Sequence, residues 1–250
     1  MSILRISVLL ACIFMLIMNT VGSSSIGTDV GTLSDRYQTR VLAAGYAFSI
    51  WGIIFIGTLG YALYQVRGNA PSPSFLDQLA PYAIAAFLAT GIWIPIFQLE
   101  RFPLSLVVML ILLGSLAMIF RIINEQATLS STELWLIEGS FSIFLGWITA
   151  ATVLNFSQTL MALNWNGFGI GDVAWGVTML IAAGLIAATV AYFGGGNFFY
   201  AGTVVWALVA VSVNQADVRI LVTTPIIMSL VILIAAAAPY FSLTGGQTVG

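Results

Sequence analysis

Apolar runs of bilayer-crossing length recur along nearly the whole chain, at residues 4–22, 45–66, 80–98, 104–123, 134–160, 173–193, 198–213 and 220–241. An α-helix needs about 18 to 25 such residues to cross roughly 30 Å of hydrocarbon. The runs lack apolar–polar alternation and are about twice as long as a tilted barrel strand requires, which removes the β-barrel option. With 60% hydrophobic and 6% charged residues among 250, the chain has too little polar surface for a soluble globule. The sequence therefore predicts an all-α integral membrane protein, a polytopic helical bundle of seven or eight spans. The count turns on the short run at 198–213 and on the first run. Arg5, an apolar core and Val21-Gly22-Ser23-Ser24-Ser25 also fit a secretory signal, so residues 1–22 are either a retained helix or a cleaved leader.

Residue types exclude several functions. All seven basic residues are arginines, so a retinal Schiff base, which needs a lysine amine, is ruled out. Histidine is absent, and Cys12 is the sole cysteine, which excludes an internal disulfide and any multi-cysteine metal or iron–sulfur site. No Ser/His/Asp, Cys/His or paired-carboxylate arrangement suggests catalysis, so the chain is read as a non-enzyme. Arg5, Arg67 and Arg121 fall on one side of an eight-span arrangement and Arg36, Arg40, Arg101 and Arg219 on the other, too even a split to orient the chain. Expected partners are the lipid bilayer, a small hydrophobic ligand and a second copy of the chain, with no nucleic acid. The expected location is a bacterial cytoplasmic membrane.

Polar connections punctuate the spans. Residues 22–40 are rich in Gly, Ser, Asp and Thr and read as a loop or short surface helix able to cap something. Residues 69–74 carry two prolines, residues 123–133 end in a helix-starting Ser-Ser-Thr-Glu, and 167–172 and 193–197 are glycine-rich turns. The GFGIGD turn lacks the preceding strand of a nucleotide loop.

Two segments carry polar or aromatic chemistry into the membrane. At 100° per residue, Trp147, Ala151, Asn155, Gln158, Ala162 and Trp165 gather within an arc of roughly 80°. Amides in a span need hydrogen-bond partners, so this seam is either interhelical glue or the wall of a cavity that the alanines leave open and the indoles bound. In the second span Tyr46, Ser49, Ile53, Gly57, Gly60 and Tyr64 share one side, and Phe48, Trp51, Phe55, Thr58 and Ala62 the other. The glycine side permits close helix approach, while the aromatic side lines a pocket or faces lipid. Glu138, about one turn inside the fifth span, is a snorkelling carboxylate or a proton or cation site. Glu100 and Arg101 mark an interface. Ala183, Gly184, Ala187, Ala188 and Ala191 form a small-residue stripe that reads as scaffold.

Trp51-Gly52, Phe55, Gly60-Tyr61 and Tyr64 in the second span, the stretch GWITAATVLNFSQTLMALN at 146–164, and Gln98-Leu99 resemble the second, fifth and third helices of the TspO/MBR family, the tryptophan-rich sensory or translocator proteins. The resemblance covers roughly residues 4–166. It implies a five-helix core over 1–166 around a pocket closed by the first loop, followed by two or three additional C-terminal helices over 167–250 in a single membrane domain. The family binds porphyrins, sterols and synthetic aromatic ligands. By matching positions, Trp51, Trp147, Ala151, Leu154 and Asn155 become pocket residues, joined from the seam and the aromatic face by Gln158 and Phe55. No cofactor is required, and the resemblance implies at most a non-covalently bound porphyrin or lipid. This chain departs from the family in its first loop, where DRYQTRVLAAGYAF replaces tryptophans, a lysine and Pro-Pro, and at Glu100-Arg101-Phe102-Pro103 and Phe156, which weakens the porphyrin and sterol expectations. The leading functional reading is a TspO-like protein that binds a small hydrophobic or tetrapyrrole ligand for sensing, regulation or transport. The alternatives are a secondary transporter using Glu138 and the Asn155/Gln158 seam, and a structural subunit of a membrane complex.

Overall fold

The computed structural model describes residues 3–25, 27–67, 73–126 and 128–244, so most of the two-proline connection at 69–74 lies outside the described residues. The described chain is helical, with no strand among those residues: α1 (Ile3–Ser25), α2 (Val30–Arg36), α3 (Ile50–Gln65), α4 (Pro73–Gln98), α5 (Phe102–Asn124), α6 (Ser131–Glu133), α7 (Ser140–Ala162), α8 (Asp172–Phe193), α9 (Phe198–Asn214) and α10 (Arg219–Thr244). A 3-10 turn, Gly45–Ser49, leads into α3, and a π turn, Leu134–Gly139, joins α6 to α7. Seven helical stretches are long and apolar enough to span a membrane, with Ser131–Ala162 counted as one, and α9 is a shorter apolar helix. The chain is an all-α polytopic bundle and an integral, multi-pass membrane protein.

Packing is organised around α7. α1 lies on α4, α4 on α5, α5 on α7, α7 on α3 and α3 back on α1, which closes a ring of five helices. α9 leans on α7 and α10, and α10 on α8, so the last three helices form a second group joined to the ring through α7. At 1.5 Å per residue α9 is only about 25 Å long, short for the roughly 30 Å of hydrocarbon. Its Tyr200, Ala201, Val204, Ala207, Leu208 and Ala210 are buried in protein.

Local sequence explains these contacts. Val8, Ala11, Cys12 and Met15, spaced three and four apart, form the buried face of α1. Gly91 of α4 brings the two backbones together, since a methyl there would meet Phe14 Cε1 at 2.6 Å. Arg5 Nε donates to Asp77 Oδ1 (3.0 Å), and Gln65 Nε2 donates to the Arg5 carbonyl (2.7 Å), which ties the first turns of α1 to α3 and α4. Residues 3–22 are thus packed as a member of the ring. Ser130 caps α6 in a reciprocal box with Glu133, as the Ser-Ser-Thr-Glu signal predicts. The glycine side of α3 meets this segment: a methyl on Gly57 would lie 2.5 Å from Ser140 Oγ, and one on Gly60 would lie 3.1 Å from Leu136 Cδ2.

Candidate ligand cavity between the helices

A cavity of about 280 Å³ lies where α3, α4, α5 and α7 converge beneath the α1–α3 connection. The aromatic side of α3 faces it with Trp51 and Phe55, preceded by Phe48. The three rings are held by one another and by α7: Trp51 stacks on Phe55 at 5.2 Å, and both Phe48 and Trp51 meet Trp147 edge-on at 5.5 and 6.4 Å. From α7 come Trp147, Ala151, Leu154, Asn155 and Gln158. All seven residues nominated from sequence therefore border one space. Ala162 and Trp165, the far end of the seam, are not on this wall; Trp165 instead packs edge-on against Trp175 at 4.5 Å.

The two amides of the seam behave differently. Asn155 is buried glue: its Oδ1 accepts from Trp93 Nε1 (3.1 Å) on α4, and its Nδ2 donates to Ser105 Oγ (3.0 Å) on α5. Thr159 Oγ1 adds a bond to the Phe102 carbonyl (3.2 Å), so α7 is clasped to the start of α5 on two successive turns. Gln158 is 2% exposed, and its Nε2 has no hydrogen-bond partner among the described residues. A buried donor left unpaired costs about 1–3 kcal/mol. Replacing Asn155 by leucine strands the Trp93 indole N–H, while Ser105 Oγ keeps its bond to the Phe102 carbonyl (2.9 Å), so a loss of about 1–3 kcal/mol of stability is expected, read as lowered resistance to thermal or detergent unfolding.

The connection above the cavity is fixed on both sides. Asp29 caps α2 by accepting from the Thr32 hydroxyl (2.5 Å) and from Thr32 N (2.9 Å), which together, the hydroxyl foremost, hold its carboxyl below the usual pKa, and Val30 and Ser34 of α2 reach the cavity wall. Leu33 buries itself with Phe97 and Phe102. Arg36 Nη1 and the Tyr37 hydroxyl both bond Glu100, at 2.8 and 2.7 Å, and that bond pushes the phenol's pKa up. Arg40 Nε reaches across to Asp172 (2.8 Å) at the start of α8, with Asp217 at 3.8 Å. Ala44 N donates to the Ala210 carbonyl (3.0 Å), and Asn214 Nδ2 to the Leu42 carbonyl (3.1 Å). Glu100, read as marking an interface, and Arg40 therefore fasten a cap. A second space of about 340 Å³ lies beside this cap, with Arg40, Asp172, Trp165 and Trp175 on its wall, and shares Val41 with the first.

Sequence reasoning missed part of the wall. Thr90, Trp93 and Phe97 of α4 face the cavity at three- and four-residue spacing, with Trp93 stacked on Phe97 at 4.6 Å. That i, i+4 aromatic pair was the available signal. Leu180 and Ala183 of α8 and Ala207, Leu208 and Val211 of α9 also border the space, so its walls extend beyond the first five spans. Ala183 thereby does more than the scaffold role read from its stripe, although Gly184 beside it packs on Met228 of α10 as a scaffold residue would. Glu138 lies elsewhere. Asn197 Nδ2 donates to its Oε1 (3.0 Å) and to Ser142 Oγ (3.0 Å), while Asn197 Oδ1 caps α9 through Tyr200 N (2.9 Å). Its carboxylate thus anchors the start of α9.

No curated protein and no solved structure matches the chain. A family model described as TSPO-like protein matches residues 5–238, a span that begins in α1 and reaches well into α10. With the helical bundle, the motif residues gathered about one cavity and a match over most of the chain, this protein belongs to the TSPO-like protein family.

Proposed function

We propose that the chain binds a small hydrophobic ligand in the cavity between α3, α4, α5 and α7, and that occupancy serves sensing, regulation or transport in a bacterial cytoplasmic membrane. One observation carries this reading: a space of about 280 Å³ is walled mainly by aromatic, aliphatic and small side chains, with a few uncharged polar groups among them and no charged residue. Protein interiors are close-packed, with few voids larger than a water molecule, so a space of this size forfeits contacts that a guest would restore. Small-molecule pockets run from about 300 to 1,000 Å³, which puts this one at the small end and makes a tetrapyrrole the less supported occupant.

Native mass spectrometry of protein extracted in mild detergent tests the reading. A retained small-molecule adduct, absent from Ala151→Trp, is the expected result. A protein that flies bare and takes up no small apolar probe such as 2-ethylnaphthalene overturns it.

The coupled-transporter alternative gains nothing from the geometry, because Glu138 and Asn155 lie seventeen residues apart on one helical stretch, about 25 Å along its axis. Glutamine at position 138 keeps an oxygen for Asn197, so Glu138→Gln is expected to leave ligand binding unchanged. Uptake driven by a proton gradient and abolished by that substitution would instead establish the transporter.

A further inference from the structure

We propose that the ligand is an uncharged, largely apolar molecule carrying a hydrogen-bond acceptor at one end, and that Gln158 Nε2 is the group that reads that acceptor. This rests on the cavity being a binding site. Of the buried side-chain atoms without a partner among the described residues, Gln158 Nε2 alone lies on this wall. Of the other side-chain amides and hydroxyls on the wall, Asn155 is engaged with Trp93 and Ser105, Asn19 Nδ2 with the Met15 carbonyl (2.8 Å), and the Thr90 hydroxyl with the Ala86 carbonyl (2.8 Å). An amide placed among apolar walls with its donor free is matched by a guest that supplies an oxygen or nitrogen lone pair.

Position orients the guest. Gln158 sits near the capped end, whereas Trp147 lies eleven residues back, about 16 Å down the helix axis. The acceptor therefore points towards the cap and the apolar body lies between Trp147, Trp51 and Phe55.

Charge sets the other limit. None of the residues on the wall is ionisable as a cation, so a carboxylate entering this space would be buried without a counter-charge. Arg40, adjacent in sequence to the wall residue Val41, is already held by Asp172 and Asp217. A ligand bearing free carboxylates is thus disfavoured, and the ligand class narrows to neutral ketones, esters, amides, ethers or heteroaromatics.

Three bicyclic probes of similar size separate these claims: 2-acetylnaphthalene, with an acceptor; 2-ethylnaphthalene, without one; and 2-naphthoate, which is charged. Binding is measured by titration calorimetry on the full chain in nanodiscs, with partition into empty nanodiscs subtracted. The wild type is expected to prefer the ketone over the ethyl compound by about tenfold and to reject naphthoate. In Gln158→Leu the ketone preference should vanish while 2-ethylnaphthalene still binds, which also reports an intact cavity. Equal binding of ketone and ethyl probes by the wild type overturns the role of Gln158 whatever the variant does, and naphthoate binding as tight as the ketone overturns the charge argument. If none of the three binds, the cavity reading itself fails.

Discussion

Ala151→Trp is expected to abolish ligand binding while leaving the fold intact or slightly more stable. Ala151 borders the cavity one turn from Trp147 and one turn from Asn155, so a larger side chain there projects into the space rather than into a neighbouring helix. An indole fills the volume that the guest's apolar body would occupy. Displacing one side-chain-sized apolar group forfeits about 1.5–3 kcal/mol, roughly a 10- to 150-fold loss of affinity. Filling an unoccupied apolar space restores packing contacts, so the thermal midpoint should hold or rise. That pairing of opposite signs is diagnostic. A generally damaged protein would lose both stability and binding, and unchanged probe affinity in a well-folded Ala151→Trp protein would locate the ligand elsewhere.

Helical period reveals what one helix presents to one side, and that is why the wall contributed by α7 was legible. Trp147, Ala151, Asn155 and Gln158 share an arc because they are three or four residues apart, and they share a cavity for the same reason. On α3 the period separated Trp51 and Phe55 from Gly57 and Gly60 but could not say which side met lipid. The answer depended on Ser140 and Leu136 lying against the glycines, contacts made across about eighty residues of chain. Asn155 and Gln158 were equally plausible as glue, and only the partners Trp93 and Ser105, on two other helices, distinguish them. The contribution of α8 and α9 had no local signature: Ala183, Ala207 and Val211 are ordinary span residues until the Leu42–Asn214 and Ala44–Ala210 bonds draw α9 against the cap. The resemblance to a five-helix family over residues 4–166 had a related limit, since its motifs stop at α7 while the wall does not.

Gly146→Leu is expected to produce the largest structural effect, because α7 belongs to both helix groups and Gly146 is where the second one docks. A methyl at this position would stand 2.8 Å from the Tyr200 carbonyl oxygen and 2.9 Å from Thr203 Cβ. Neither atom is the end of a flexible chain. One is backbone and the other is the branch point of a β-branched side chain, so α9 itself must move. Within a bilayer, helix association relies on close packing and interhelical hydrogen bonds, because lipid tails are as apolar as the displaced side chains, and separation at this contact gains nothing in return. Overpacking of this kind costs about 1–3 kcal/mol or more. Ala207, Leu208 and Val211 ride on α9, so ligand affinity should fall together with stability, unlike the split response of Ala151→Trp. Gly114 of α5 supplies the control, since a methyl there meets nothing within 4 Å and the same substitution removes the same helix-weakening glycine. Unfolding of the two variants in detergent should therefore diverge, with Gly114→Leu at or above wild type and Gly146→Leu well below it. Coincident curves would mean that α7 and α9 are held apart widely enough to admit a side chain, and the far wall of the cavity would then have to be assigned to other residues.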